Sequence, residues 1–180
     1  CRHHTCIAGD AFLETINLPL PVCTASLGND LFSNFVYFSR FRRHPGFSAT
    51  DIATINQHDF HSITQSAICG RLFVADSHKA AVVAVSYLPW ESDFFGICMG
   101  KLYLLRSDGL AESTLSSLVA DTPQCAQKKH GISHFSIEVD IDDYASLNCL
   151  LKHGFEIMDL KRSYFTSGIH HTEQLAKGSA

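Results

Sequence analysis

The stretch Tyr87–Arg106, YLPWESDFFGICMGKLYLLR, constrains the fold of this chain more than any other. Pro89 sets a turn, and an acidic, aromatic run follows it: Trp90, Glu91, Asp93, Phe94 and Phe95. Gly96 then releases the chain into Ile97–Leu105, which reads as a strand. A strand covered on both faces carries a nearly continuous apolar run, and Leu102–Leu105 has one. Gly100 inside it marks a close approach by another backbone or by a ligand. The segment predicts a central strand. Trp90, Phe94 and Phe95 are expected to anchor the turn before it by packing inward.

The flanking sequence supplies partners for that strand. Arg71–Asp76 and Ala80–Tyr87 are β-branched and apolar, and Ser77-His78-Lys79 between them completes a hairpin signature. Three successive antiparallel strands follow from this. Downstream, Leu110, Leu115, Leu118 and Val119 lie in helical register within 107–131. Pro123 is expected to break or restart that helix. Ile132–Asp140 alternates cleanly, as a half-buried strand does. Asp142 or Asp143 then caps a helix through His153, with Gly154 at its end. Phe155–Phe165 reads as a last strand.

Upstream, Ala11–Cys23 reads as an edge strand, because Pro19 and Pro21 cannot donate to a central ladder. Leu27, Leu31, Phe35 and Phe38 predict a helix over 27–38. A second helix is expected over 48–66. Ser48 and Asp51 open it in the manner of a capping box, and Ile52, Ile55, Phe60 and Ile63 form its apolar stripe. His58 and His61 on this segment are expected to be exposed or at the edge of the core. The order implies an α/β fold with a mixed sheet, antiparallel strands leading into a β-α-β-α-β half, and helices on both faces. Residues 1–26 form an N-terminal extension holding the edge strand, 27–166 the domain, and 167–180 a flexible tail.

The chain has 180 residues, enough for one domain with its own core, and a net charge of −4. That charge offers no electrostatic footprint for nucleic acid. No apolar run approaches membrane-spanning length, and no secretory signal pattern is present. Seven scattered cysteines read as buried free thiols, which points to a reducing, cytoplasmic setting. Cys1–Cys6, CRHHTC, holds metal-ligand residue types, but the spacing is wrong for a zinc site and a frayed terminus is expected instead. The chain begins on Cys1 rather than Met, as a fragment or a processed product does.

Two motifs carry a family resemblance. Asp143-Tyr144-Ala145 through Leu151-Lys152-His153-Gly154-Phe155 resembles the Asn-x-x-Ala-x-x-Leu-Tyr-x-x-x-Gly-Phe ending of the GCN5-related N-acetyltransferase superfamily. Leu88–Gly96 resembles the Leu-x-Trp-(Asp/Glu)-(Ser/Asn)-x-Phe-Phe-Gly motif of the dTDP-fucosamine acetyltransferase group. The resemblance implies acetyl-CoA as cosubstrate, with a pyrophosphate site of pattern Gln/Arg-x-x-Gly-x-Gly/Ala at a helix N-terminus. Here that site falls on Leu104, Leu105, Arg106, Ser107, Asp108, Gly109, Leu110 and Ala111, and backbone N–H groups of Leu102–Leu105 would orient the thioester. The stretch departs from the family in keeping one glycine and in placing Asp108 and Glu112 beside the phosphates. Arg106, Lys101 and the Arg40–Arg43 group are the available cations. The position that often holds an acidic tyrosine is Leu150. Tyr144, six residues earlier, lies about 120° round the helix and cannot replace it.

Two functions follow. The first is transfer of an acyl group from acyl-CoA to an amine, an amino sugar or another small amine, with Glu138 as the base and Glu91 as the second candidate. The second is a non-catalytic domain of the same fold, the structural or interaction half of a larger transferase. The expected partners are a small-molecule amine and a second domain of this fold or a second copy of the chain; neither nucleic acid nor membrane is expected.

Overall fold

The computed structural model describes residues 14–18, 48–75 and 79–159. Five strands form one sheet in the order β1-β2-β3-β4-β5: β1 (Glu14–Leu18), β2 (Cys69–Val74), β3 (Ala80–Tyr87), β4 (Met99–Arg106) and β5 (His134–Ser136). The first four are antiparallel, and β4 pairs β5 in parallel. Among the described residues, four helices accompany them: α1 (Ala49–Ser66), α2 (Pro89–Phe95), α3 (Glu112–His130) and α4 (Tyr144–Lys152).

Alternation along the strands divides the core in two. Leu72, Val82 and Leu105 face α1 and pack on Phe60 and Ile63. Phe73, Val83, Val85, Leu102 and Leu104 face the other way, onto Leu115, Leu118 and Val119 of α3 and Leu150 of α4. β3 is buried along seven of its eight residues, as a strand covered on both faces must be.

Several local expectations hold. Ser48 caps α1, its hydroxyl accepting from Asp51 N–H at 3.2 Å while the Asp51 carboxylate accepts from Ser48 N–H at 2.8 Å. His58 and His61 are exposed. Asp143 caps α4 by accepting from Ser146 N–H at 3.2 Å, and Gly154 follows its end at φ +83°. β1 lies on the sheet edge beside β2.

Others need correction. α3 runs unbroken through Pro123. Leu115, Leu118 and Val119 before the proline and Ala126 after it are all buried on the sheet, and that burial outweighs the roughly 3 kcal/mol a helix-interior proline costs. The strand read over Ile132–Asp140 shrinks to three residues, because the chain leaves the ladder after Ser136. Phe155–Asp159 is not strand; the remainder of that predicted element lies outside the described residues, as do the 27–38 helix, Arg40–Arg43, Cys1–Cys6 and the 167–180 tail. The Pro89–Phe95 run is helical rather than a turn, and its rings do not pack inward: Trp90, Phe94 and Phe95 are 69%, 68% and 59% exposed. Among the described residues, no helix is long and apolar enough to cross a membrane.

Candidate functional site

The parallel ladder between β4 and β5 joins Met99 to His134, Gly100 to Phe135 and Lys101 to Ser136, and then stops. β4 continues to Arg106, so the two chains part beyond Lys101. Which backbone groups of β4 face the split follows from its pairing with β3. Leu88 N–H donates to Met99 O at 3.0 Å and Ser107 N–H to Ala80 O at 2.9 Å. Hydrogen-bonded pairs alternate in an antiparallel ladder, so Lys101, Tyr103 and Leu105 direct their backbone to β3. Leu104 and Arg106 direct theirs the other way, to the side where β5 has left. Leu105, expected to serve a cosubstrate, therefore has its amide committed to β3.

Gly100 sits at the closed end of the split. A Cβ there would lie 2.9 Å from Val85 Cγ1 and 3.0 Å from Ile132 Cγ2. The close approach foreseen at this glycine is made by core side chains. Glu138, the first candidate base, lies two residues past the ladder's end, half-exposed, with Oε2 3.8 Å from Lys101 Nζ. Lys101 Nζ also lies 5.5 Å from the centroid of the Tyr103 ring. Glu91, the second candidate, is in the first turn of α2, at the opposite end of β4 from Arg106.

At the other end of β4, Ser107 is fully buried and bonded both ways to Ala80: its Oγ accepts from Ala80 N–H at 2.9 Å and donates to Ala80 O at 3.1 Å. Asp108 and Gly109 make the turn, Gly109 at φ +72°. Ala111 then enters α3 in an extended conformation, with no side-chain cap on the first turn. A long helix whose N-terminus carries no capping side chain keeps N–H donors and partial positive charge available to an anion.

Arg106 does not point at that terminus. Its guanidinium is buried, bonded to the Asp143 carboxylate and, through Nε, to Ser146 Oγ at 2.9 Å. This pair docks the start of α4 beside the end of β4. Between α3 and α4 it leaves a cleft of about 500 Å³ lined by Arg106, Leu110, Glu112, Asn148, Leu151 and Lys152. Glu112 and Lys152 form an exposed ion pair. The hydrogen bond from Lys152 holds the Glu112 carboxyl below its ordinary pKa, and the same bond raises that of the Lys152 ammonium.

The 106–111 loop thus reads differently in three dimensions. Counting glycines makes it look depleted. Arg106, Gly109 and Ala111 occupy the first, fourth and sixth places of Gln/Arg-x-x-Gly-x-Gly/Ala. Asp108 is exposed, and the charge of Glu112 is met by Lys152. Sequence reasoning missed Lys152 because its relation to Glu112 spans 40 residues. Leu150 is buried and Tyr144 is 66% exposed, so the tyrosine does not take the leucine's place.

No family model matches the sequence, and no curated protein matches it. Solved structures do share the fold. A probable acetyltransferase superposes with a TM-score of 0.52 at 11% identity, covering 84% of this chain and 95% of that one. An aminoglycoside acetyltransferase from an uncultured soil metagenomic sample, in complex with sisomicin, gives 0.49 at 15% identity over 85% and 95%. The aminoglycoside N-acetyltransferase AAC(6')-Iy, in complex with CoA, gives 0.45 at 13% over 87% and 99%. The mixed sheet flanked by helices is the GCN5-related N-acetyltransferase fold.

Proposed function

We propose that this chain is an acyl-CoA-dependent N-acyltransferase, with acetyl-CoA as cosubstrate and a small amine as acceptor. The observation that carries the reading is the course of the chain out of the split. β4, parted from β5 beyond Lys101, runs through Leu104 into the Gly109 turn and the start of α3, and the cleft lies beside that start. The donor set suits the group: backbone N–H at Leu104 for an amide or thioester oxygen, and helix-terminal N–H for phosphates. When bound there, acetyl-CoA supplies an activated thioester carbonyl. The loop Asp108–Ala111 and the α3 terminus hold the diphosphate, and Leu104 orients the acyl end.

Glu138 is the proposed acceptor of the amine proton as nitrogen attacks. It stands at the parting of the strands, with Oε2 3.8 Å from Lys101 Nζ. Glu91 lies further off, in the first turn of α2. The acceptor class suggested by the Leu88–Gly96 motif is an amino sugar, and the exposed rings of Trp90, Phe94 and Phe95 give such a substrate an apolar platform.

A second reading has one observation in its favour. Leu150 is buried where a proton-donating tyrosine often stands, so the departing thiolate lacks that donor. On this reading the domain does not transfer, and serves as the structural or interaction half of a larger transferase, beside a second domain of this fold or a second copy of itself.

Calorimetric titration with acetyl-CoA and free CoA, followed by thiol release in the presence of a panel of small amines, separates the two. Binding with amine-dependent thiol release supports the enzyme. Binding without release on any amine supports the second reading. Absence of binding removes the enzyme and favours the second reading.

A further inference from the structure

We infer that Lys152 is the side-chain cation for a phosphate group of the cosubstrate, and that Glu112 occupies it until the phosphate arrives. The inference rests on the cleft being the CoA site proposed above. Of the cations named in the sequence analysis, Arg106 and Lys101 are described in the structure, and both are engaged elsewhere; Lys152 is the cation that faces the cleft. Arg106 lines the cleft, but its guanidinium is buried and bonded to Asp143 and Ser146. Lys101 lies between Glu138 and the Tyr103 ring, on β4 and away from the cleft lining. Lys152 lines the cleft and is 66% exposed, and its partner Glu112 is 69% exposed.

Exposure decides which pair can exchange partners. A buried ion pair loses much when one member leaves, whereas an exposed one is held weakly because water solvates both ends. Glu112 is the first residue of α3, so its carboxylate and an incoming phosphate seek the same helix-terminal charge. A phosphomonoester, or the two phosphates of a diphosphate bridge taken together, carries more charge and more acceptor oxygens than a carboxylate, so it competes well for the ammonium. Lys152 then turns from Glu112 to the phosphate without crossing the cleft. Glu112 offsets the ammonium in the free protein and opposes anions of lower charge. The pair thereby makes the cleft selective for multiply charged phosphates. The phosphate concerned belongs either to the diphosphate bridge or to the ribose 3′-phosphate, and the two sources are distinguishable.

The experiment is calorimetric titration of the native chain, Lys152→Ala, Lys152→Arg and Glu112→Gln with CoA and with dephospho-CoA at low salt. Thermal melting of each variant verifies folding. We expect Lys152→Ala to weaken CoA binding by about tenfold, as loss of a hydrogen bond to a charged group does. Lys152→Arg should restore most of it, and Glu112→Gln should tighten binding several-fold. Loss confined to CoA assigns Lys152 to the 3′-phosphate; equal loss with dephospho-CoA assigns it to the diphosphate. A native chain that binds CoA while Lys152→Ala binds it equally well overturns the inference and leaves the CoA site standing. Weaker binding by Glu112→Gln also overturns it, since Glu112 would then be positioning Lys152 rather than occupying it. A native chain that binds no CoA removes the underlying site, and the inference with it.

Discussion

Arg106, the last residue of β4, is bonded through its guanidinium to the carboxylate of Asp143, which caps α4. Both side chains are more than nine-tenths buried. The same Asp143 oxygen accepts Ser146 N–H at 3.2 Å, and Arg106 Nε donates to Ser146 Oγ at 2.9 Å. One cluster thus fixes the end of a strand, the start of a helix and the floor of the cleft. Removing one member of a buried pair leaves the other charge uncompensated, which costs about 3–5 kcal/mol. Arg106→Ala and Asp143→Ala should each lose that much stability in urea unfolding, and the double variant less than the sum. Either single variant losing under about 1 kcal/mol would show the pair to be solvated.

The rings of α2 should behave differently. Trp90 stacks on Phe94 at 5.4 Å between centroids, and Phe94 meets Phe95 edge-on at 4.9 Å, yet all three remain largely exposed. Phe95→Ala should therefore change stability by about 0.5 kcal/mol or less, as surface substitutions do. A core phenylalanine would cost roughly 3–5 kcal/mol. Thermal unfolding of Phe95→Ala distinguishes the two, and a drop of many degrees would return the ring to the core.

The contrast between Phe95 and Leu102 shows how far sequence carries. Leu102, Leu104 and Leu105 were legible because a strand's apolar run has one physical cause, burial on both faces. The Ser48–Asp51 box and the Asp143 cap were legible because capping is local. Trp90, Phe94 and Phe95 misled because aromatic composition does not reveal which side of a short helix meets the core. Pro123 misled because tertiary burial overrode a local rule. At the site, the Gly109 turn was visible as a motif. The pairing of Glu112 with Lys152, and of Arg106 with Asp143, joins residues 40 and 37 apart, and no local pattern encodes that.

Alkaline pH should destabilise the chain. Burial pushes the Cys69 thiol from its ordinary 9.0 up to about 11, helped by the neighbouring Cys125, and burial raises Cys149 as well. A raised folded pKa means that the native state holds its proton more tightly than the unfolded chain. The resulting stability is complete below pH 9.0 and is lost as pH rises toward about 11. Urea midpoints should fall between pH 8 and pH 10.5 for the native protein, and Cys69→Ala should flatten that fall. An unchanged slope in Cys69→Ala would place the titrating group elsewhere.

Two glycines in the site should fail for different reasons. At Gly100 a Cβ would meet Val85 Cγ1 at 2.9 Å and Ile132 Cγ2 at 3.0 Å, so alanine overpacks the core where the split closes. Overpacking costs about 1–3 kcal/mol, and the shift it forces bears on the ladder that joins β4 to β5. At Gly109 nothing lies within 4 Å of the same position, so only the backbone objects: φ +72° costs an L-residue about 1–2 kcal/mol. Gly109→Ala should therefore lower stability modestly. Gly109→Asn should recover much of the loss, because asparagine tolerates the left-handed region. Gly100→Asn has no such escape and should be worse than Gly100→Ala. CoA titration of the folded Gly109 variants adds the functional reading. Binding that falls in Gly109→Ala and returns in Gly109→Asn shows that the turn's shape holds the phosphates. Binding that is lost in both, at equal stability, shows instead that a side chain at 109 intrudes on them.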